Sequence, residues 1–134
     1  EGDLEKFNLK LQKKYKTIQQ EEQRCESLFL DDAEFILVAY GSMARIAKSA
    51  VNKLRGKGKK IGLIRPITLW PFPKKAFTYN LSPKTYYLVI EMSYGQMLQD
   101  VQLAVDGKSK VAFLGRAGGG IPTEEDIIKS LSRL

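Results

Sequence analysis

Four short runs of apolar residues, Phe35–Ala39, Ile61–Ile64, Tyr86–Ile90 and Val111–Leu114, stand apart along the chain. They are too short for helices and show little polar alternation, which suits strands buried on both faces. Between and after them, apolar residues recur at spacings of three and four. Ile46, Ala47, Ala50, Val51 and Leu54 form one such set; Met97, Leu98, Val101 and Val105 a second; Ile127, Ile128, Leu131 and Leu134 a third. That period predicts helices with one buried face. Strands and helices alternate, so the expected fold class is α/β, a three-layer α/β/α sandwich with a mostly parallel sheet.

A further helical pattern precedes the first strand. Leu4, Phe7, Leu11, Tyr15 and Ile18 make one apolar stripe, predicting an amphipathic helix over about residues 4–26. It either lies on this domain's own sheet or connects to a preceding domain, and its heavily charged opposite face favours the connector. The expected division is residues 1–30 as helix and connector and residues 31–134 as the α/β domain. The opening Glu1-Gly-Asp-Leu has no initiator Met and is read as the start of a piece excised from a longer chain.

The second strand lies in the stretch around which the chain is organised, Ile61–Pro73. Pro66, Pro71 and Pro73 fix their own φ and keep Arg65, Trp70 and Phe72 out of helix. Two large rings are therefore presented on a stiff connection at a strand's carboxyl end, where open α/β sheets meet ligands and partners. Arg65, Trp70 and Phe72 are the candidate interface residues. The two rings either plug the core or anchor a subunit contact, where Trp is enriched.

Composition narrows the chemistry. The 134 residues are 43% hydrophobic and 28% charged, ordinary for one globular domain. No run approaches the roughly 20 apolar residues of a membrane span, so no membrane partner is expected. With no His and one Cys, Cys25, there is no ligand set for zinc or iron–sulfur clusters, and the commonest general base is missing. A free-standing hydrolase or metalloenzyme is disfavoured. The lone Cys25, read as a small filler at the helix end, fits a reducing cytoplasm. The net charge of +7 comes from scattered lysines, with no zinc finger or aromatic RNA-binding strand. It is read as a solvated or partner-facing basic surface rather than a nucleic-acid site.

Two turns are candidates for weak anion binding. In the first, Gly41 turns strand into helix and Ser42 is the expected N-cap, leaving N–H groups that favour anions. Plain capping is the favoured reading, because every βα turn offers such N–H groups and neither a dinucleotide fingerprint nor a Walker lysine is present. In the second, Gly118 and Gly119 precede a helix with Thr123 as its expected N-cap, but Glu124, Glu125 and Asp126 crowd its start. Glu91 ends a strand and is read as bonding either to backbone N–H groups of the next turn or to Arg65.

The stretches Val38–Ser42, Gly58–Pro73, Glu91–Gln96 and the Gly-rich turn before Pro122-Thr-Glu resemble the C-terminal, transketolase C-terminal-like domain of the alpha subunit of 2-oxoacid:ferredoxin oxidoreductases, in particular the 2-oxoglutarate type. The Arg65-Pro-Ile-Thr-Leu-Trp-Pro-Phe-Pro73 run is the most specific element. Met92-Ser-Tyr94 departs from the pattern, where Asn is expected in the Glu-x-Asn-x-Gly-Gln run. The resemblance implies a parent enzyme that oxidatively decarboxylates a 2-oxo acid to an acyl-CoA with thiamine diphosphate, Mg²⁺, iron–sulfur clusters, coenzyme A and ferredoxin. None of these cofactors is expected on this domain. Its expected role is accessory and non-catalytic: assembly with the remaining alpha-subunit domains and the beta subunit, its basic surface favouring acidic ferredoxin through the assembled enzyme. The alternatives are a free-standing module for a phosphorylated ligand and, behind it, a basic nucleic-acid binder.

Overall fold

A computed structural model describes residues 2–134; Glu1, the first residue of the expected connector, lies outside them. The elements are α1 (Gly2–Glu21), β1 (Cys25–Leu28), β2 (Phe35–Ala39), α2 (Gly41–Arg55), β3 (Ile61–Pro66), a 3-10 turn (Lys74–Phe77), β4 (Tyr86–Glu91), α3 (Gln96–Val105), β5 (Lys110–Gly115) and α4 (Glu124–Leu131). The four apolar runs are the four parallel strands. A fifth strand, β1, joins them, and the spatial order is β1-β3-β2-β4-β5. β1 pairs antiparallel to β3, with Glu26 opposite Arg65.

β1 corrects the expectation of a helix to residue 26. The helix ends at Glu21, and Cys25, expected at its frayed end, starts a strand. Four residues with no apolar run carry no strand period; pairing with the exposed edge of β3 makes the strand. The loop after β1 is held by Arg55 at the end of α2. Its guanidinium donates to both oxygens of Asp32 (2.6 and 2.9 Å), to the Phe29 carbonyl (2.8 Å) and to the Ile61 carbonyl (2.6 Å). Gly62 lets this loop close down: a Cβ there would stand 2.8 Å from the Phe29 oxygen and 2.9 Å from the Leu28 oxygen.

Side chains alternate across the sheet, so each strand feeds two cores. Leu37 and Ala39 join Met43, Ala47 and Val51 of α2 and Ile127 of α4 on one face. Ile36 and Val38 join Phe72, Phe77 and the α3 residues Met97, Val101 and Val105 on the other. Helices and the proline connection thus cover both faces, giving the expected three layers.

The long helix does not lie on this sheet. No residue of α1 is buried. Leu4 is 66% and Phe7 56% exposed, and the stripe meets the domain where Tyr15 sets its ring edge-on to Trp70, centroids 5.8 Å apart.

Candidate functional site

The chain leaves β2 for β3 on one side and leaves β4 for β5 on the other, with α2 and α3 on opposite faces of the sheet. The carboxyl ends of β2 and β4 therefore flank the topological switch point, where sheets of this kind bind ligands. Tyr40, Gly41, Ser42, Met43, Glu91 and Met92 line a crevice there of about 100 Å³. That volume falls short of the roughly 300 Å³ at which small-molecule pockets begin.

The two helix starts beside this crevice differ. Gly41 turns into α2 with φ of +57°, as only glycine does readily. Ser42 is not the N-cap, a correction to the sequence reading: Tyr40 holds that position without a side-chain hydrogen bond, and Ser42 lies within the helix. At α3, by contrast, the Glu91 carboxylate accepts from the N–H groups of Met97 (2.9 Å) and Leu98 (3.1 Å) and from the Ser93 hydroxyl (3.0 Å). Glu91 is wholly buried. Of its two expected partners, the backbone of the next turn is the one found. Arg65 instead pairs with Glu26 at 3.0 Å. Hydrogen bonds from Lys48 and then Arg65 hold the Glu26 carboxyl below its ordinary range. These three donors make the Glu91 carboxylate the cap of the turn into α3.

The second cluster is the proline connection. Phe72 and Trp70 take different roles. Phe72 is buried and stacks on Phe77, centroids 5.5 Å apart, fastening the connection to the core. Trp70 is 57% exposed, with Ile67 and Leu69 exposed beside it. Between this ridge and the end of α1 opens a cleft of about 350 Å³, lined by Gln19, Gln23, Leu69, Trp70, Lys74 and Asp100 among others. Burial pushes the Asp100 carboxyl up, and Lys74 opposes the shift. The Oε1 of Gln23 is buried without a hydrogen-bond partner among the described residues. Gln23 belongs to no motif, and Asp100 is legible in sequence only as the acid nearest Glu91, about two helical turns on; only the folded chain brings both under Trp70.

Gly118 (φ +69°) and Gly119 (φ +85°) sit in open space, so their backbone conformation and not a close neighbour requires glycine. The helix behind them is already supplied with acids. Thr123 and Asp126 form a reciprocal capping box, and Glu124 bonds Ser49 (2.8 Å) and Lys53 (2.7 Å). Among the described residues no cluster of three or more potential metal ligands occurs, and no helix is long and apolar enough to cross a membrane.

Comparison with known proteins agrees with this architecture. The family model for pyruvate:ferredoxin oxidoreductase core domain II matches residues 33–127. The ketoisovalerate oxidoreductase subunit VorB of Methanothermobacter marburgensis is 40% identical over 132 residues, covering 98% of this chain and 37% of that subunit. The 2-oxoglutarate synthase subunit KorA of the same organism is 33% identical over 101 residues, 75% of this chain and 27% of that subunit. A solved 2-oxoglutarate:ferredoxin oxidoreductase from Magnetococcus marinus, with 2-oxoglutarate, coenzyme A and succinyl-CoA bound, superposes with a TM-score of 0.72 at 20% identity, over 88% of this chain and 21% of that one. The chain thus spans between about a quarter and little more than a third of the two curated subunits. α1 and β1 lie outside the family model, yet nearly all of both fall within the match to the ketoisovalerate subunit.

Proposed function

The chain belongs to the pyruvate:ferredoxin oxidoreductase core domain II family, and on that premise we propose that it is a non-catalytic assembly domain of a 2-oxoacid:ferredoxin oxidoreductase subunit. The parent reaction is oxidative decarboxylation of a 2-oxo acid to its acyl-CoA, with thiamine diphosphate, Mg²⁺, iron–sulfur clusters and coenzyme A held by other parts of the enzyme, in the cytoplasm. The sequence holds no ligand set for the iron–sulfur clusters: His is missing, and the single Cys lies on an edge strand. The higher identity and longer match to the ketoisovalerate subunit than to the 2-oxoglutarate subunit favour a branched 2-oxo acid over 2-oxoglutarate. Residues 1–30 serve as the connector and residues 31–134 as the domain, with β1 fastening one to the other.

One observation carries the assembly role: Trp70 stands exposed on a connection that Phe72 anchors in the core. A rigid, exposed aromatic ring is the usual centre of a protein contact. Trp70→Ala is expected to weaken subunit assembly at least about tenfold, the cost of more than 1 kcal/mol typical of such anchors. Size-exclusion chromatography of the co-expressed subunits measures it. The variant 134-residue chain should keep its thermal midpoint; a large drop there with assembly intact would return Trp70 to a purely structural role.

The basic surface supports a second element of the reading, attraction of acidic ferredoxin to the assembled enzyme. Ferredoxin reduction is then expected to slow as ionic strength rises, because exposed charges are screened beyond about 8 Å at physiological salt. A rate indifferent to salt removes this element alone.

A further inference from the structure

We propose that a groove at the amino end of the sheet seats one large apolar side chain of an acidic protein segment, supplied by another part of the oxidoreductase. This adds a second contact to the assembly reading, at the end of the sheet away from Trp70, and rests on that reading.

The groove follows from the register. Ile61, Phe35, Tyr86 and Lys110 stand opposite one another across β3, β2, β4 and β5, a single row where the parallel strands begin. Leu63, Leu37, Leu88 and Ala112, two residues further along each strand, pack in the core beneath α2 and α4. Alternation puts the whole row on that same face. The two helices do not close over it. Between Leu54 near the end of α2 and Ile128 and Leu131 of α4, a groove of about 220 Å³ opens onto Phe35 and Ile61. Phe35, Leu54, Ile128 and Leu131 are only half-buried there. The space is below the roughly 300 Å³ at which small-molecule pockets begin, and it suits a single large apolar side chain.

Charge selects the partner. Lys59 lines the groove itself. Lys110 closes the far end of the row, donating to the Tyr86 hydroxyl (2.6 Å) and lying 4.6 Å over the Tyr86 ring, which stacks on Phe35. Lys57, Lys129 and Arg133 lie in the turn and the helix end that border the groove. None of these five cations has an ion-pair partner among the described residues. Of the acids at this end, Asp32 pairs with Arg55, Glu34 with Lys60, Asp106 with Lys108 and Glu124 with Lys53. Glu125, near Lys53, and Asp31, in the loop after β1, are the two left over. Five free cations against two free carboxylates leave the rim basic, and carboxylates on the partner complement it. A flat bilayer does not reach into a groove between two helix ends, so a protein segment fits better than a lipid surface.

Zero-length carbodiimide cross-linking tests this. It joins an ammonium to a carboxylate only where the two touch, forming an amide as the reagent takes up the water released. In the oxidoreductase assembled from full-length co-expressed subunits, Lys59 or Lys110 is expected to be joined to an Asp or Glu outside residues 1–134. Acetylation of Lys59 by acetic anhydride should be at least about tenfold slower there than in the 134-residue chain, because the lysine reacts only when the contact opens. Ser132→Phe, which sets a ring at the mouth of the groove, and Arg133→Glu should each remove the cross-link and restore fast acetylation. Both positions are exposed, so neither should move the thermal midpoint of the 134-residue chain by more than about 2 °C.

Equal acetylation in both samples without a cross-link beyond residues 1–134 overturns the proposal, as does a cross-link that survives both substitutions. So does sedimentation of the chain with vesicles of phosphatidylserine and phosphatidylcholine that Ser132→Phe abolishes, which would assign the groove to lipid. Assembly that fails with Trp70→Ala while Lys59 of the wild-type enzyme stays fully reactive would leave the assembly reading standing and remove only this contact. Wild-type subunits that never co-purify would overturn both.

Discussion

Glu91→Ala is expected to destabilise the chain by about 3–5 kcal/mol, because it strips the buried N–H groups of Met97 and Leu98 of their acceptor at about 1–3 kcal/mol each and removes the carboxylate's packing. Both groups lie in the first turn of α3, so the loss also unfastens that helix from the end of β4. Urea unfolding of the 134-residue chain measures it. Glu91→Gln keeps the shape and one acceptor oxygen and should cost less than Glu91→Ala. A loss below about 1 kcal/mol for Glu91→Ala, within the ordinary net value of one hydrogen bond, would show that the α3 turn finds other acceptors. It would also reopen a chemical role for the carboxylate.

Phe77→Ala should match it in size, at about 3–5 kcal/mol, the usual cost of emptying a buried phenylalanine site. Phe77 is wholly buried between Phe72 and Tyr87, with centroids 5.5 and 5.6 Å away. Its consequence reaches the candidate interface, because Phe72 holds the connection that carries Trp70. Limited proteolysis is expected to cut the Thr68–Pro73 stretch faster in the variant, and the denaturant midpoint to fall. Unchanged cleavage alongside the lost stability would show that Pro66, Pro71 and Pro73 alone keep the connection rigid. Trp70→Ala, by contrast, should leave the isolated chain within about 1 kcal/mol of the parent, since exposed positions contribute little.

These two residues mark the difference between what was legible and what was not. Glu91 was readable as a strand-end acid bonding either to the next turn or to Arg65. Only the fold chose, because Arg65 faces Glu26 across the β1–β3 pair while the Gln96 turn folds back over Glu91. Trp70 and Phe72 share one proline-rich stretch and looked equivalent. Folding turned one inward onto Phe77 and left the other outside against Tyr15. Sequence spacing carries no record of such a divergence: strand alternation would put positions two apart on one side, but residues 67–73 lie outside any regular element.

By itself, the sequence determined the four parallel strands, the helices between them and the layered α/β class, because each depends on local period and on apolar runs that must be buried. It also carried the family, through the Arg65–Pro73 wording. Tertiary structure alone decided three things: that Cys25–Leu28 is a strand, that α1 stands off the sheet, and that Gln23 and Asp100 line one cleft beneath Trp70. Each depends on residues far apart in the chain, and contacts of that kind are set by how the packed elements meet rather than by any pattern within them.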